Sequence, residues 1–202
     1  MTRKKFLDQV YDLSTPDETR ALYDDWADSY DAEVAGNGYV TPGRVAEALA
    51  RHMPRHDLPV LDFGCGTGLS GAALTQVGFS MLEGADLSAD MLKRAEARGI
   101  YRKLWQVEPG AAIPQGHSAI VATGVIGVGA APVEVFDTIM QALATGGLFA
   151  LSYNDHALAD PVFEGKLRGY TDTGKARLLF QEYGPHLPGI DLKSNVYVLE
   201  KA

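Results

Sequence analysis

A single cysteine, Cys65, occurs among the 202 residues. No intrachain disulfide can form, and with no Cys/His cluster around it no metal site is expected. Bases are also scarce: 18 Lys and Arg stand against 26 Asp and Glu, a net charge of −8. Nucleic-acid binding depends on a positive field over phosphates, so no nucleic-acid partner is expected. The one run of three bases, Arg3-Lys4-Lys5, reads as a solvated tail. No apolar stretch approaches the roughly 20 residues that span a bilayer, so no membrane partner is expected. The opening MTRKKFLDQVYDLS is basic but has no apolar run behind it. It therefore does not read as a signal peptide, and the expected compartment is the cytoplasm. There is no internal repeat and no low-complexity linker. A chain of this length buries roughly 70% of its unfolded surface without a staple. Residues 1–202 are accordingly expected as one domain, with helices over 1–55 covering a cleft and a core over 56–202.

What is present is an alternation of helical and strand-like periods. That pattern predicts an α/β domain with a mainly parallel sheet. Phe6, Leu7, Val10 and Leu13 share a helical face. Thr15-Pro16-Asp17-Glu18 then reads as a helix start, with a capping Thr, Pro at the first position and Glu at the third. On the helix it opens, Leu22, Tyr23, Trp26, Ala27, Tyr30 and Val34 point one way. Asp17, Asp24, Asp25, Asp28 and Asp31 point the other way, as a solvated face. Thr41-Pro42 opens a further helix with Val45, Leu49 and Met53 inward. Strands are predicted over 59–63, 79–85, 101–107, 119–123 and 148–153, with helices near 69–77, 89–98, 133–144 and 157–169. Two last strands, 177–183 and 195–200, are joined by Gly184–Gly189 and can pair antiparallel.

The chemistry centres on Val60-Leu61-Asp62-Phe63-Gly64-Cys65-Gly66-Thr67-Gly68-Leu69-Ser70-Gly71. An apolar run enters a glycine turn and a helix follows. Glycine permits positive φ and close approach of a ligand to the main chain. Gly66-Thr67-Gly68-Leu69-Ser70-Gly71 matches G-x-G-x-x-G, with Asp86 at the distance of a ribose-binding acid. Read alone, that points to a nicotinamide dinucleotide. It also carries the strand through Gly64 and Cys65 and leaves Asp62 deep in the sheet, where an unpaired carboxylate is costly. The other parse, Asp62-x-Gly64-x-Gly66-x-Gly68, ends the strand at Phe63. It puts Asp62 at the carboxyl edge, where open α/β sheets bind ligands. A carboxylate there suits a cationic ligand.

The motifs LDFGCGTG (61–68) and GADLSADML (84–92) resemble the cofactor signatures of the class I S-adenosylmethionine-dependent methyltransferases. The likeness covers nearly the whole chain. YDDWADSYD, ATGVIGVGAAP and the ending NVYVLEKA are more narrowly similar to the Williams–Beuren-region-27 (methyltransferase-like 27) group. The resemblance implies a Rossmann-like, mainly parallel seven-stranded sheet with helices on both faces and an antiparallel C-terminal strand. It implies S-adenosyl-L-methionine as cofactor and methyl transfer to an unidentified small-molecule acceptor. It further implies cofactor contacts at Asp62, Gly64, Cys65, Gly66, Thr67 and Gly68, with Asp86 accepting from the ribose hydroxyls. Leu87 and Met91 would line the adenine, Thr123 belongs to the same set, and Tyr23 and Tyr30 on the leading helix would reach the methionine end.

Three departures from the family pattern stand out. Glu108 occupies the place of an Asp that meets the adenine amino group. Ser118-Ala119 replaces a Phe-Asp pair, and Gly124–Gly129 lacks a His. They motivate an alternative, a non-catalytic protein that binds S-adenosylmethionine or S-adenosylhomocysteine. An NAD(P)-dependent oxidoreductase is a third reading; the only Tyr-x-x-x-Lys, Tyr197–Lys201, lies in the final strand. No Asn-Pro-Pro-Tyr segment follows the fourth strand, unlike the enzymes that methylate nucleic-acid amino groups. Methyl transfer needs chiefly an acceptor held in line, and a base only if the acceptor keeps its proton. Tyr153, Asp155, His156, His117 and His186 are candidate bases, none paired with a second group, so the catalytic residues stay unassigned.

Overall fold

The computed structural model describes residues 15–202. The helical face expected at Phe6–Leu13 lies outside the described residues.

Helix α1 (Pro16–Trp26) begins with the predicted capping box: the Thr15 side chain accepts from the Glu18 N–H, and the Glu18 carboxylate accepts from the Thr15 N–H. The leading helix is not continuous. A turn over residues 27–29 separates α1 from α2 (Tyr30–Gly36). Helix α3 (Thr41–His52) buries Val45 and Leu49, with Met53 buried just beyond its end.

The alternation follows: β1 (Val60–Phe63), α4 (Leu69–Gln76), β2 (Leu82–Asp86), α5 (Ala89–Ala97), β3 (Lys103–Gln106), β4 (Ala119–Ala122), α6 (Val135–Ala142) and β5 (Leu148–Asn154). The helix expected near 157–169 is two helices, α7 (Asp155–Ala159) and α8 (Pro161–Asp172). Asp160 caps the second, and Pro161 follows it. The last two strands are longer than predicted, β6 (Ala176–Leu187) and β7 (Leu192–Lys201). Gly184–Leu187, expected as a connection, stays in β6. Pro188–Ile190 alone forms a 3-10 turn.

One seven-stranded sheet results, in the order β3-β2-β1-β4-β5-β7-β6. Pairs among β1 to β5 are parallel; β7 is antiparallel to both β5 and β6. This is the expected Rossmann-like architecture. Successive strand residues face opposite sides. Leu61, Ile120, Phe149 and Leu151 pack with Phe136 and Ile139 of α6 and Phe163 of α8. Val60, Val121 and Ala150 pack with Val45 and Leu49 of α3 and Leu74 of α4. Strand order reverses between β1 and β4, and a crevice opens at the carboxyl ends there. Among the described residues no helix is long and apolar enough to cross a membrane.

Candidate functional site

The loop after β1 has the torsions that its glycines allow: Gly64, Gly66 and Gly68 adopt φ of 69°, 53° and 90°. At Gly64 the requirement is also spatial, since a Cβ there would lie 2.5 Å from Cγ2 of Val125. The loop is tied to the end of β2. Asp86 Oδ2 accepts from the Gly66 N–H at 2.7 Å, and Oδ1 accepts from the Ser88 N–H at 2.9 Å. Burial lifts the Asp86 carboxyl above its ordinary range, while these N–H groups oppose the rise. Each oxygen keeps a second acceptor position, so the carboxylate can still receive a diol.

A cleft of about 1170 Å³, counting the space open to solvent, runs along this edge. Of the expected site residues, Gly64, Asp86, Leu87, Glu108, Thr123, Tyr23 and Tyr30 line it. Cys65, Gly66, Thr67, Gly68 and Met91 do not. Met91 is packed inside, 1% exposed, and its N–H is capped by Ser88. The Cys65 thiol is buried, which pushes its pKa well up, so it is inert rather than reactive.

Asp62 departs most from expectation. It sits at the tip of β1 as predicted but does not face the cleft. Strand alternation turns Phe63 toward the cleft and Asp62 to the other face. There the carboxylate is fully buried, and Oδ2 accepts from Ser70 Oγ and from Tyr101 Oη, each at 2.6 Å. Oδ1 has no hydrogen-bond partner. Burial is the main reason that its pKa rises to about 6. Asp62 thus holds α4 and the segment leading into β3 beneath the loop. Ser70 and Tyr101 are residues that sequence reasoning missed; the i+8 hydroxyl on the helix behind the loop was the available signal.

The acidic row of the leading helices is solvated as expected at Asp17, Asp25 and Asp28, but part of it is also engaged. Asp24 accepts from Ser88 Oγ, and Asp28 pairs with Arg94. Asp31 accepts from Thr67 Oγ1 and from Arg98, both at 2.5 Å, while Arg98 Nε donates to the Thr67 carbonyl at 2.6 Å. Three carboxylates therefore clamp α1 and α2 onto the glycine loop and α5. Glu108 is engaged as well: Arg20 of α1 donates to it at 2.7 Å across the cleft.

Among the candidate bases, His117 hydrogen-bonds Glu83 and the Pro114 carbonyl, away from the cleft. Asp155 accepts from Tyr183 Oη and the Lys193 N–H. Tyr153 is buried with its hydroxyl unpartnered, and burial raises its pKa. His186 lines a second, smaller cavity that shares Tyr23, Tyr30, Gly124 and Ala130 with the cleft.

The cleft offers a nucleoside-bearing cofactor concrete attachment points. Thr123 Oγ1 and Arg20 Nε are buried without hydrogen-bond partners, and both residues line it. A buried hydroxyl left unpaired costs about 1–3 kcal/mol, so Thr123 Oγ1 favours a polar occupant. Asp86 supplies acceptors, Leu87, Val107 and Pro109 supply an apolar wall, and Gly64 lets the occupant approach the main chain.

A family model described as a methyltransferase domain matches residues 39–188. Methyltransferase-like protein 27 of Homo sapiens is 41% identical over 93 residues, 44% of this chain and 38% of that protein. The 18S rRNA (guanine(1575)-N(7))-methyltransferase of Saccharomyces cerevisiae is 30% identical over 131 residues, 55% of this chain and 47% of that one. The chain thus spans less than half the length of these two relatives. Among solved structures, the [4+2]-cyclase SpnF superposes with a TM-score of 0.70 at 14% identity, covering 93% of this chain and 97% of that one. That likeness concerns the fold.

Proposed function

Because the chain belongs to the methyltransferase-domain family, we propose that it transfers the methyl group of S-adenosylmethionine to a small-molecule acceptor. The observation that carries the reading is the cleft at the sheet's switch point. There, Asp86 and the Gly64 turn meet unpartnered Thr123 Oγ1 under a lid of Tyr23 and Tyr30. The sulfonium supplies an electrophilic methyl group. The chain's own part is to hold and shield. Asp86 receives the ribose hydroxyls, Leu87 and Val107 bury the base, and Tyr23 and Tyr30 exclude water from the reacting end. Positioning of this kind can account for much of the rate of an in-line displacement.

Asp62 acts in this scheme from below the loop, as a positioning residue. An ammonium group would be received on the cleft side by groups of the loop and of Thr123. Glu108, already paired with Arg20, would close the adenine end rather than select the base. The yeast relative is named for an RNA guanine. Here the net charge of −8 weighs against an RNA acceptor.

Calorimetry with S-adenosylmethionine, S-adenosylhomocysteine and NADH tests the reading. Binding of the first two and not of NADH is expected. Asp86→Ala should weaken them at least tenfold, about 1.4 kcal/mol. NADH binding without S-adenosylmethionine binding would reverse the assignment. Tight cofactor binding with no methyl transfer to any of a broad set of small acceptors would favour a non-catalytic binder.

A further inference from the structure

Beside the cofactor cleft lies a smaller cavity of about 620 Å³, counting its open side. Four aromatic residues, Tyr23, Trp26, Tyr30 and Tyr39, form part of its wall, with Trp26 and Tyr30 edge-to-face at 4.7 Å between centroids. Polar groups come from the sheet side. Ser152 Oγ accepts the Gly124 N–H at 3.0 Å, and its own proton has no acceptor among the described residues. His186 contributes its ring. Among the described residues that line this cavity there is no Asp, Glu, Lys or Arg.

His186 is held by a chain of side chains that starts outside the cavity. Arg44 Nη1, which can only donate, reaches Ser194 Oγ at 3.1 Å. Ser194 Oγ lies 3.3 Å from Thr41 Oγ1, and Thr41 Oγ1 lies 2.8 Å from His186 Nδ1. With Ser194 accepting from the cation, its proton can go to Thr41 and the Thr41 proton to Nδ1; a hydroxyl's second acceptor position equally allows the reverse order. The first order leaves the imidazole proton on Nε2 and the second leaves Nε2 an acceptor, so in either tautomer Nε2 can bond a polar atom. Burial also pushes the His186 pKa down to about 4, so the ring is neutral at physiological pH. Nε2 has no hydrogen-bond partner among the described residues.

We propose that this cavity is the methyl-acceptor site and that it takes a neutral, ring-bearing small molecule whose oxygen or nitrogen is hydrogen-bonded by His186 and Ser152. The inference rests on S-adenosylmethionine occupying the adjoining cleft. Aromatic walls reward a flat apolar body. An anionic acceptor would be desolvated with no counter-charge among the described residues that line the cavity, which costs several kcal/mol. A cationic acceptor would meet the aromatic rings favourably but would sit beside a sulfonium across the shared Tyr23 and Tyr30 wall.

The test is calorimetry on the whole chain saturated with S-adenosylhomocysteine, using 2-naphthol and 2-naphthoate, the same ring system neutral and anionic, as probes. 2-Naphthol is expected to bind at least tenfold more tightly than 2-naphthoate. His186→Phe should weaken 2-naphthol about tenfold and leave S-adenosylhomocysteine affinity unchanged, which also serves as the fold control. Equal or tighter binding of 2-naphthoate overturns the acceptor assignment, as does failure of 2-naphthol to bind the loaded wild-type protein. Unchanged 2-naphthol affinity in a loaded His186→Phe variant removes His186 from it. Failure of S-adenosylhomocysteine itself to bind overturns the cofactor reading, and the acceptor assignment falls with it.

Discussion

Asp62→Asn is the most informative single substitution. The Asp62 carboxyl is fully buried, its Oδ1 is unpartnered and its pKa is raised from 3.8 to about 6. A carboxyl whose folded pKa exceeds its unfolded pKa binds its proton more tightly in the folded state. Its contribution to stability is therefore complete below about pH 4 and is lost as pH rises through about 6. A shift of this size amounts to about 3 kcal/mol at neutral pH. Asparagine keeps an oxygen for the Ser70 and Tyr101 hydroxyls and never ionises. Its amide N–H groups add a desolvation cost of about 1–3 kcal/mol, and that cost does not vary with pH. The absolute stability of the variant is thus less telling than its pH dependence. Between pH 5 and pH 8 the difference in unfolding free energy should move in favour of Asn by about 1.4 kcal/mol. In a domain of this size that is about 3–6 °C in Tm. Urea melts of both proteins at pH 5, 6, 7 and 8 give the difference directly and cancel the titration of other groups. A pH-independent difference would refute the raised pKa. A difference that moves toward Asp would mean that the anion is stabilised in the fold. Because Asp62 lies under the loop, S-adenosylmethionine affinity should change less than about threefold. A loss of tenfold or more would return it to direct contact with the ammonium group.

Gly64→Ala should cost about 1–3 kcal/mol of stability, because φ is 69° and the new methyl group would lie 2.5 Å from Val125 Cγ2. Adding Val125→Ala should recover the steric part and leave the torsional part. Chemical denaturation that finds the double variant no more stable than the single one would sink the clash argument. Asp31→Ala removes the acceptor of Thr67 and Arg98; with Asp31 half exposed, the expected loss is about 1 kcal/mol or less. Amide hydrogen exchange should accelerate over 30–36 and 65–68 together, and acceleration in only one segment would mean that the clamp does not couple them.

The architecture was largely legible from local pattern. Alternating periods, the Thr15 capping box and the glycine turn after β1 all depend on neighbours within a few residues, and each stands where it was expected. Breaks that depend on local chemistry were harder to see. The turn at 27–29 interrupts an apolar stripe whose period continues unbroken, and Asp160-Pro161 splits one helical pattern into two. Leu187 could be read as loop because the prolines and glycines around it outweigh local strand propensity. Pairing with β7 nevertheless carries β6 through them.

Within the site, the sequence alone determined which residues stand at the strand tips, since a glycine turn and a following acid can be counted along the chain. Asp86 and Gly64 accordingly line the cleft. Only the tertiary structure decided where each charge points. A two-residue period sends Phe63 to one face and Asp62 to the other, and Tyr101, 39 residues away, closes over the carboxylate. Likewise Asp24, Asp28 and Asp31 lie on the polar side of their helices in any linear reading. Their partners Ser88, Arg94 and Arg98 are brought to them by packing over more than sixty residues of chain. A side chain's identity is local, but the partner that sets its charge state and its role is supplied by the fold.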